Sequence, residues 1–182
     1  MLKTLDLGCG LHKVPGSVGL DVVPLDSVDV VHDLNVYPYP FAANTFDCIR
    51  VIHVIEHLQS VVKTMEEIHR IAKPNAVVKI VTPHHSDSSS WQDPTHIWHL
   101  NTGSFNFFEE NYETNYYSSA RFRVKRVSVK LLKIYACLGI EWLVNLQNQR
   151  FRFIRKFWEQ HLCYIVRGKV LEFDLVVIKD IQ

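Results

Sequence analysis

The sequence predicts an α/β fold in which one domain builds a doubly wound, mostly parallel sheet. A short apolar strand near the start ends in Gly8-Cys9-Gly10, and a second short strand ends in the acid Asp21. Further short apolar strands follow at intervals that suit parallel crossovers. A chain of 182 residues is long enough to bury a single core. We therefore expect one domain over 1–182.

The N-terminal half predicts five strands and one helix. Apolar runs indicate the strands, which we place at 4–7, 18–22, 28–33, 46–52 and 76–81. Ser60 is a good N-cap, and the residues after it follow helical spacing until Pro74-Asn75, which we expect to stop the helix.

The C-terminal half is less regular. Residues 84–120 are rich in histidine and aromatic side chains with weak periodicity, which indicates a functional insert. Apolar and cationic residues then alternate over 122–131, as in a half-exposed strand. We expect a long amphipathic helix over 140–165 and a last strand over 170–178.

Composition predicts a cytoplasmic protein. The four cysteines show no CxxC pair or metal-ligand spacing, which is typical of small buried residues in a reducing compartment. A strand that begins at Thr4 leaves no room for a signal peptide, and no apolar run reaches the ~18–20 residues of a membrane span.

The two glycines and Asp21 predict a nucleoside site. Glycine lets the backbone turn sharply and lets a ligand approach main-chain atoms, and an acid ending the second strand can accept hydrogen bonds from both ribose hydroxyls. A dinucleotide is not expected, because Lys13 stands where that fingerprint has its third glycine. Pro15 and Gly16 also leave little room for a phosphate-binding helix.

Asp6-Leu7-Gly8-Cys9-Gly10 resembles the first motif of class I S-adenosylmethionine-dependent methyltransferases of the type 11 kind. The resemblance covers residues 1–110 well and the rest in outline. It implies a Rossmann-like, seven-stranded sheet whose last two strands form an antiparallel hairpin. The sequence departs from the family in its nearly absent first helix, and in Asn75-Ala76, where relatives often carry Gly-Gly.

The resemblance also implies the residues that hold S-adenosylmethionine. Asp33 and Leu34 follow the third strand, where relatives bind the adenine, and Ile52 and His53 lie where they cover the methionine moiety. The full set of expected cofactor-binding residues is Asp6, Leu7, Gly8, Gly10, Asp21, Val22, Asp33, Leu34, Ile52 and His53.

A possible metal site follows the fourth strand. If the chain turns helical there, His53, Glu56 and His57 fall on one face, and two imidazoles with a carboxylate can share a divalent metal. Metal-dependent O-methyltransferases acting on ubiquinone precursors or RNA 3′ ends carry a similar Glu-x-x-Glu-His, and the RNA-end enzymes add a histidine for which His96 is the nearest counterpart. A Glu-His pair making only local hydrogen bonds is the alternative.

The insert supplies the first candidate base. A histidine near its ordinary pKa of ~6.5 can take a proton from a hydroxyl substrate, and His96 is the first candidate, with His57 the second. No Asn/Asp-Pro-Pro-Tyr stretch follows the fourth strand, which favours an oxygen nucleophile of a small molecule or sugar over amino methylation. An RNA-end or other macromolecular methyltransferase, and a non-catalytic nucleoside-binding module, remain alternatives.

Positive charge is concentrated late in the chain. Residues 120–156 carry ten bases and only Glu141 as an acid. The basic segment 121–156 could bind RNA or an anionic surface, or it could be a solvated face that also forms a homodimer seam.

Overall fold

The computed structural model describes residues 2–146 and 151–179. Its strands all join one seven-stranded sheet in the order β3-β2-β1-β4-β5-β7-β6. They are β1 (Thr4–Leu7), β2 (Val18–Asp21), β3 (Val30–Val31), β4 (Phe46–Ile52), β5 (Ala72–Pro83), β6 (Arg121–Leu131) and β7 (Gly168–Ile178). The first five strands run parallel, and β7 is antiparallel to both β5 and β6. The expected α/β sheet with its C-terminal antiparallel pair is confirmed.

Five short α-helices accompany the sheet in the described ranges. They are α1 (Val61–Ile71), α2 (Ser89–Gln92), α3 (Lys133–Cys137), α4 (Ile140–Val144) and α5 (Arg152–Phe157), with a π-helical turn at Trp158–Leu162. None of the helices in this part of the chain has the length and apolarity that crossing a bilayer requires.

The core lies on one face of the sheet. Leu5, Ile49 and Val78 occupy matching positions on adjacent strands and are fully buried. Helix α1 covers them with its apolar side, including Met65 and Ile68, because these positions share one helical face. Ser60 caps the helix as expected, since its Oγ accepts the Lys63 N–H at 3.2 Å.

The other face of the sheet carries charge. The strand register places charged residues directly opposite one another across five strands, so that they point to the same side. In sheet order they are Asp6, Arg50, Lys79, Asp174 and Arg126. The connections β1–β2, β2–β3 and β3–β4 are loops, which confirms the nearly absent first helix.

Several strand and helix boundaries differ from the expected ones. Strand β2 ends at Asp21 and β3 is only Val30–Val31, whereas β5 begins at Ala72. Helix α1 ends at Ile71, before Pro74. Asn44, Thr45 and Lys179 donate hydrogen bonds to the carbonyls at its end, which have no partner within the helix. Pro74 and Asn75 instead lie where the β4–β5 register shifts, with Asn75 at φ +62°.

The expected long helix over 140–165 is wrong. Helix α4 ends at Val144 because Asn145 turns its amide onto the edge strand, accepting from the Val129 N–H and donating to the Val129 carbonyl, both at 2.7 Å. Glu141 accepts the Leu131 N–H at 2.9 Å in the same way. These side chains satisfy backbone groups that an edge strand leaves open.

Two partly buried histidines predict how stability depends on pH. Burial lowers the pKa of His69, with Lys179 and Arg121 adding to the effect, and burial together with His84 lowers the pKa of His85. Both shifts favour the neutral imidazole in the folded chain, so as the pH falls through the unfolded pKa of ~6.5 the unfolded state binds more protons. We expect the free energy of unfolding to fall as the pH is lowered from about 7.5 to about 5.5.

Urea unfolding at several pH values across that range measures the effect. Most carboxylates stay ionised at these pH values, so they add little to the pH dependence. His69→Gln and His85→Gln should each make the dependence shallower. A dependence equally steep in both variants contradicts the assignment.

Candidate functional site

The glycine loop after β1 is shaped by two different requirements. Gly8 and Gly10 both have positive φ, +64° and +49°. A Cβ on Gly8 would lie 2.3 Å from Cγ2 of Val54, whereas a Cβ on Gly10 would meet nothing within 4 Å. Open space therefore lies beside Gly10, whereas at Gly8 the corresponding space is filled by Val54.

Asp21 is held at the end of β2 by the loop itself. The Gly10 N–H donates to its Oδ2 at 2.9 Å, and the Val23 N–H donates to its Oδ1 at 3.0 Å. Each carboxylate oxygen has two lone pairs, so one per oxygen remains for a ligand. The structure thus brings Gly10 and Asp21 into direct contact, in a position that suits a diol.

The loop between β1 and β2 is fixed by residues whose roles the sequence did not reveal. Buried Asp6 accepts the Val14 N–H at 2.9 Å, and Lys13 forms a 2.8 Å ion pair with Asp29. Asp29 also accepts the Gly19 N–H, and that hydrogen bond, with Lys13, lowers the pKa of its carboxyl group. Lys13, which stands in place of a third glycine, therefore anchors a loop that replaces the helix.

The remaining expected cofactor residues lie around this loop. Leu7 and Leu34 are buried in the core, whereas Val22 is 58% exposed beyond the end of β2. Asp33 is exposed and accepts the Asn35 N–H at 2.8 Å, and Asn35 in turn accepts the Gln59 N–H at 2.8 Å. Asn35, a residue that sequence analysis missed, thereby links the expected adenine loop to the segment after β4.

After β4 the chain forms a 3-10 turn over Ile55–His57 rather than a longer helix. His53 lies outside that turn at φ +54°, yet its Nδ1 stays 3.3 Å from Glu56 Oε1. Glu56 is 1% exposed, and its Oε2 has no hydrogen-bond partner in the described part of the chain. An unpartnered buried carboxylate oxygen is costly and favours a site for a proton or a cation.

The insert folds back onto this turn. The Ile97 and Trp98 N–H groups donate to the Glu56 carbonyl, and the Trp98 indole N–H donates to the Leu58 carbonyl at 2.7 Å. His57 and His96 thereby approach to 4.6 Å between ring centroids. One ring nitrogen of each and one Glu56 oxygen lie within 4.8 Å of one another, a set that excludes His53.

Hydrogen bonds fix the tautomers of the two histidines. His96 Nδ1 donates to the Ser90 carbonyl at 3.1 Å, which leaves a lone pair on Nε2 of the neutral ring. Thr95 donates its hydroxyl proton to Asp93 at 2.6 Å, so His57 Nδ1 donates to Thr95 Oγ1 at 2.8 Å, and the lone pair again falls on Nε2. The Thr95 side-chain and backbone hydrogen bonds lower the pKa of the Asp93 carboxyl group.

These side chains border an open cleft of about 620 Å³ between the ends of β4 and β5. Its lining residues are His53, Glu56, His57, Pro83, Ser89, Gln92, Asp93, Pro94 and His96. Two imidazoles with free Nε2 lone pairs beside a buried carboxylate can accept a proton from a hydroxyl group or hold a divalent metal.

A second histidine cluster lies outside the cleft lining. His84 Nδ1 accepts the Ser86 N–H at 3.1 Å, so its Nε2 donates to Glu159 at 3.1 Å. Both nitrogens of His84 are therefore used. Burial opposes ionisation of Glu159, but hydrogen bonds from His84 and Thr102 outweigh it and lower the pKa of the carboxyl group. This cluster connects the insert to the π-helical turn.

Comparisons with known proteins agree on the fold. Residues 2–123 match the family model described as a methyltransferase domain. No curated protein matches the chain significantly in sequence. Among solved structures, an S-adenosylmethionine-dependent methyltransferase from Archaeoglobus fulgidus has a TM-score of 0.62 at 17% identity, covering 97% of this chain and 86% of that one.

Two further structures are similar. An S-adenosylmethionine-dependent methyltransferase from Mesorhizobium loti has a TM-score of 0.54 at 14% identity, covering 96% of this chain and 90% of its own. The phosphoethanolamine N-methyltransferase 2 of Haemonchus contortus, solved with phosphomonomethylethanolamine and S-adenosylhomocysteine, has a TM-score of 0.54 at 16% identity. This chain covers 49% of that longer one.

Proposed function

This chain belongs to the methyltransferase domain family and is an S-adenosylmethionine-dependent methyltransferase; we propose that its acceptor is an oxygen nucleophile on a small molecule or sugar. The observation that carries the acceptor class is His96, whose Nε2 makes no hydrogen bond within the described ranges and lies at an open cleft, 3.9 Å from Asp93 Oδ2. A hydroxyl acceptor must lose a proton during transfer, and this imidazole can take it.

The residues around the glycine loop fit the cofactor. Gly10 has open space above it, and Asp21 keeps a lone pair on each oxygen for the ribose hydroxyls. Asp33 and Leu34 are proposed to meet the adenine, and Ile52 and His53 the methionine moiety. Asp6 contributes by holding Val14 and thus the loop, with its side chain buried.

In the proposed reaction the chain mainly aligns and deprotonates. Bound S-adenosylmethionine supplies a methyl group that a sulfonium already makes electrophilic. With that cofactor bound, the cleft would hold the acceptor oxygen for attack on the methyl group, so that the O–C bond forms as the S–C bond breaks and S-adenosylhomocysteine leaves. Positioning alone can contribute roughly 7–11 kcal/mol. The hydroxyl proton passes to His96 Nε2, while His57, oriented through Thr95 and Asp93, is the second candidate base.

A metal-assisted form of the same chemistry is the second candidate. Glu56, His57 and His96 could hold a divalent cation, and the observation that favours it is the unpartnered, buried Glu56 Oε2. Two imidazoles favour Mn²⁺, Co²⁺ or Zn²⁺ over Mg²⁺, which prefers oxygen ligands. His53 lies outside this set, and its part in the metal site is limited to its hydrogen bond with Glu56.

A cofactor and acceptor survey tests the proposal. Calorimetry should detect S-adenosylmethionine binding to the full chain, and hydroxyl acceptors should release S-adenosylhomocysteine where their amine analogues do not. Binding without turnover on any acceptor would identify the non-catalytic module instead. Turnover restricted to RNA ends or to amines would overturn the proposed acceptor class.

A further inference from the structure

Between β6 and β7, residues 132–146 and 151–167 form a small helical layer, which we call the helical arm. It contains α3, α4, α5 and the π-helical turn. Its inner side is anchored by Val144, Trp158 and Cys163, each at most 2% exposed. The Trp158 indole N–H donates to the Val166 carbonyl at 2.8 Å.

The solvent-exposed surface of the arm, which we call its outer side, carries large apolar side chains as well. Phe153 and Phe157 stand one turn apart on α5 and are 65% and 55% exposed. The exposed large apolar side chains of the arm are Ile134, Leu138, Trp142, Leu143, Phe151, Phe153, Phe157, Leu162, Tyr164 and Ile165. Helices that are apolar on both sides are normally covered on both sides, so this outer side fits a further layer.

The arm also presents positive charge. From 132 to 167 the sequence has six bases and two acids, and Lys133, Lys156 and Arg167 are exposed. Both acids are engaged within the molecule, Glu141 with the Leu131 N–H and Glu159 with His84 and Thr102. Arg150, part of the basic segment noted in the sequence, lies outside the described residues. The outer side therefore suits a partner that is both apolar and anionic.

The arm and the candidate cleft lie at the same end of the sheet, where the parallel strands have their carboxyl ends. Leu131, which ends β6, pairs with Gly168, which begins β7, and Pro83 at the end of β5 pairs with Val170. Glu159 of the arm reaches His84 immediately after β5. A surface that binds the arm therefore lies beside the end of the sheet where the cofactor loop and the histidine cleft open.

We propose that the helical arm docks on the surface of an anionic lipid bilayer. Exposed tryptophan, tyrosine, phenylalanine and aliphatic side chains bordered by cations are typical of helices that lie in a membrane interface. A second copy of the arm is disfavoured because a symmetric contact would oppose two cationic surfaces. RNA is disfavoured because half of the exposed apolar side chains of the arm are aliphatic, and these would stay exposed in a complex that stacks bases only on the rings.

Co-sedimentation of the full chain with vesicles tests the proposal. We expect binding to phosphatidylcholine vesicles that contain phosphatidylglycerol, much weaker binding to phosphatidylcholine alone, and a decline as salt is added. Lys133→Gln and Lys156→Gln should each weaken binding about five-fold, the effect of one cation near an anionic surface. Trp142→Ser with Phe153→Ser should weaken it at least about ten-fold.

A matched control is available at the opposite end of the sheet, where β6 begins. Tyr116 and Tyr117 are 71% and 68% exposed and precede β6, so Tyr116→Ser with Tyr117→Ser removes similar apolar area without touching the arm. Binding in this variant should equal that of the unmodified chain. Circular dichroism checks that each variant folds, and S-adenosylmethionine calorimetry without lipid separates a failure of this proposal from a failure of the proposed function.

Three results would overturn the proposal. The first is no binding to anionic vesicles, or equal binding to neutral ones. The second is a concentration-dependent dimer, seen by sedimentation velocity, that the Trp142→Ser Phe153→Ser variant abolishes while vesicle binding is absent. The third is salt-dependent RNA binding, without vesicle binding, that the same variant leaves unchanged.

Discussion

Replacing His96 by alanine is expected to lower the turnover number about 10²–10⁴-fold, the usual contribution of a positioned general base. The reason is geometric. His96 Nδ1 donates its proton to the Ser90 carbonyl, so Nε2 carries the lone pair of the neutral ring and faces the cleft without a hydrogen bond to any residue that the structure describes. Binding of S-adenosylmethionine should stay nearly unchanged, because the ring lies outside the expected cofactor residues. Release of S-adenosylhomocysteine and calorimetry measure the two effects separately.

His99 offers a matched control for His96. It lies in the same insert, its Nδ1 contacts Ser90 Oγ at 2.9 Å, and its ring stacks on Trp91, but it does not line the cleft. His99→Ala should therefore keep most of the turnover. Equal losses in the two variants would mean that they only perturb the insert, and the assignment of a base would fail.

Chelation separates the two forms of the mechanism. If Glu56, His57 and His96 hold a metal, EDTA should stop turnover, and Mn²⁺, Co²⁺ or Zn²⁺ should restore it. If His96 acts as a free base, turnover should survive EDTA and still fall in His96→Ala. Turnover that is unaffected both by EDTA and by His96→Ala would exclude this site from the reaction.

Asp21→Ala is expected to weaken S-adenosylmethionine binding by ~1.5–3 kcal/mol, or roughly ten- to 150-fold, the range for hydrogen bonds to a charged group. The carboxylate would lose its bonds to the ribose hydroxyls, and the loop would lose the acceptor for the Gly10 and Val23 N–H groups. Calorimetry on the folded variant gives the change directly.

Asp26→Ala is the control, because Asp26 is an exposed acid in the loop that follows β2. Its removal should change the affinity by less than about two-fold, the scale of a screened surface charge. An affinity that Asp21→Ala leaves intact would contradict the proposed ribose site. Urea unfolding of both variants shows whether loss of the loop contacts, rather than of the ligand contacts, accounts for the change.

The site could be predicted in part because some of its chemistry is local in the sequence. The residue types and spacing of Gly8, Gly10 and Asp21 predict a tight turn followed by an acid at the end of the second strand. The structure brings Gly10 and Asp21 into contact. Glu56 and His57 are likewise near neighbours in sequence. His96 was identified through a family resemblance, since periodicity carries no information about a partner some forty residues away.

Other contacts could not be predicted because long-range hydrogen bonds decide them. Nothing in the sequence near His57 indicates that Thr95 and Asp93 fix its tautomer, and the need for glycine at position 8 comes from Val54. The expected helix over 140–165 failed for the same reason. Its apolar pattern is genuine, but the Asn145 side chain binds the edge strand and ends α4.

Sequence alone predicts which segments form strands and where the glycine–acid pair stands, because strand periodicity and backbone permissiveness depend on residues close in the chain. Which apolar residues of the arm are buried and which are exposed depends on long-range packing. Trp158 and Phe157 are adjacent and both aromatic, yet Trp158 is 2% and Phe157 55% exposed. Burial depends on what the fold places beside a residue, and that is a property of the assembled sheet and insert.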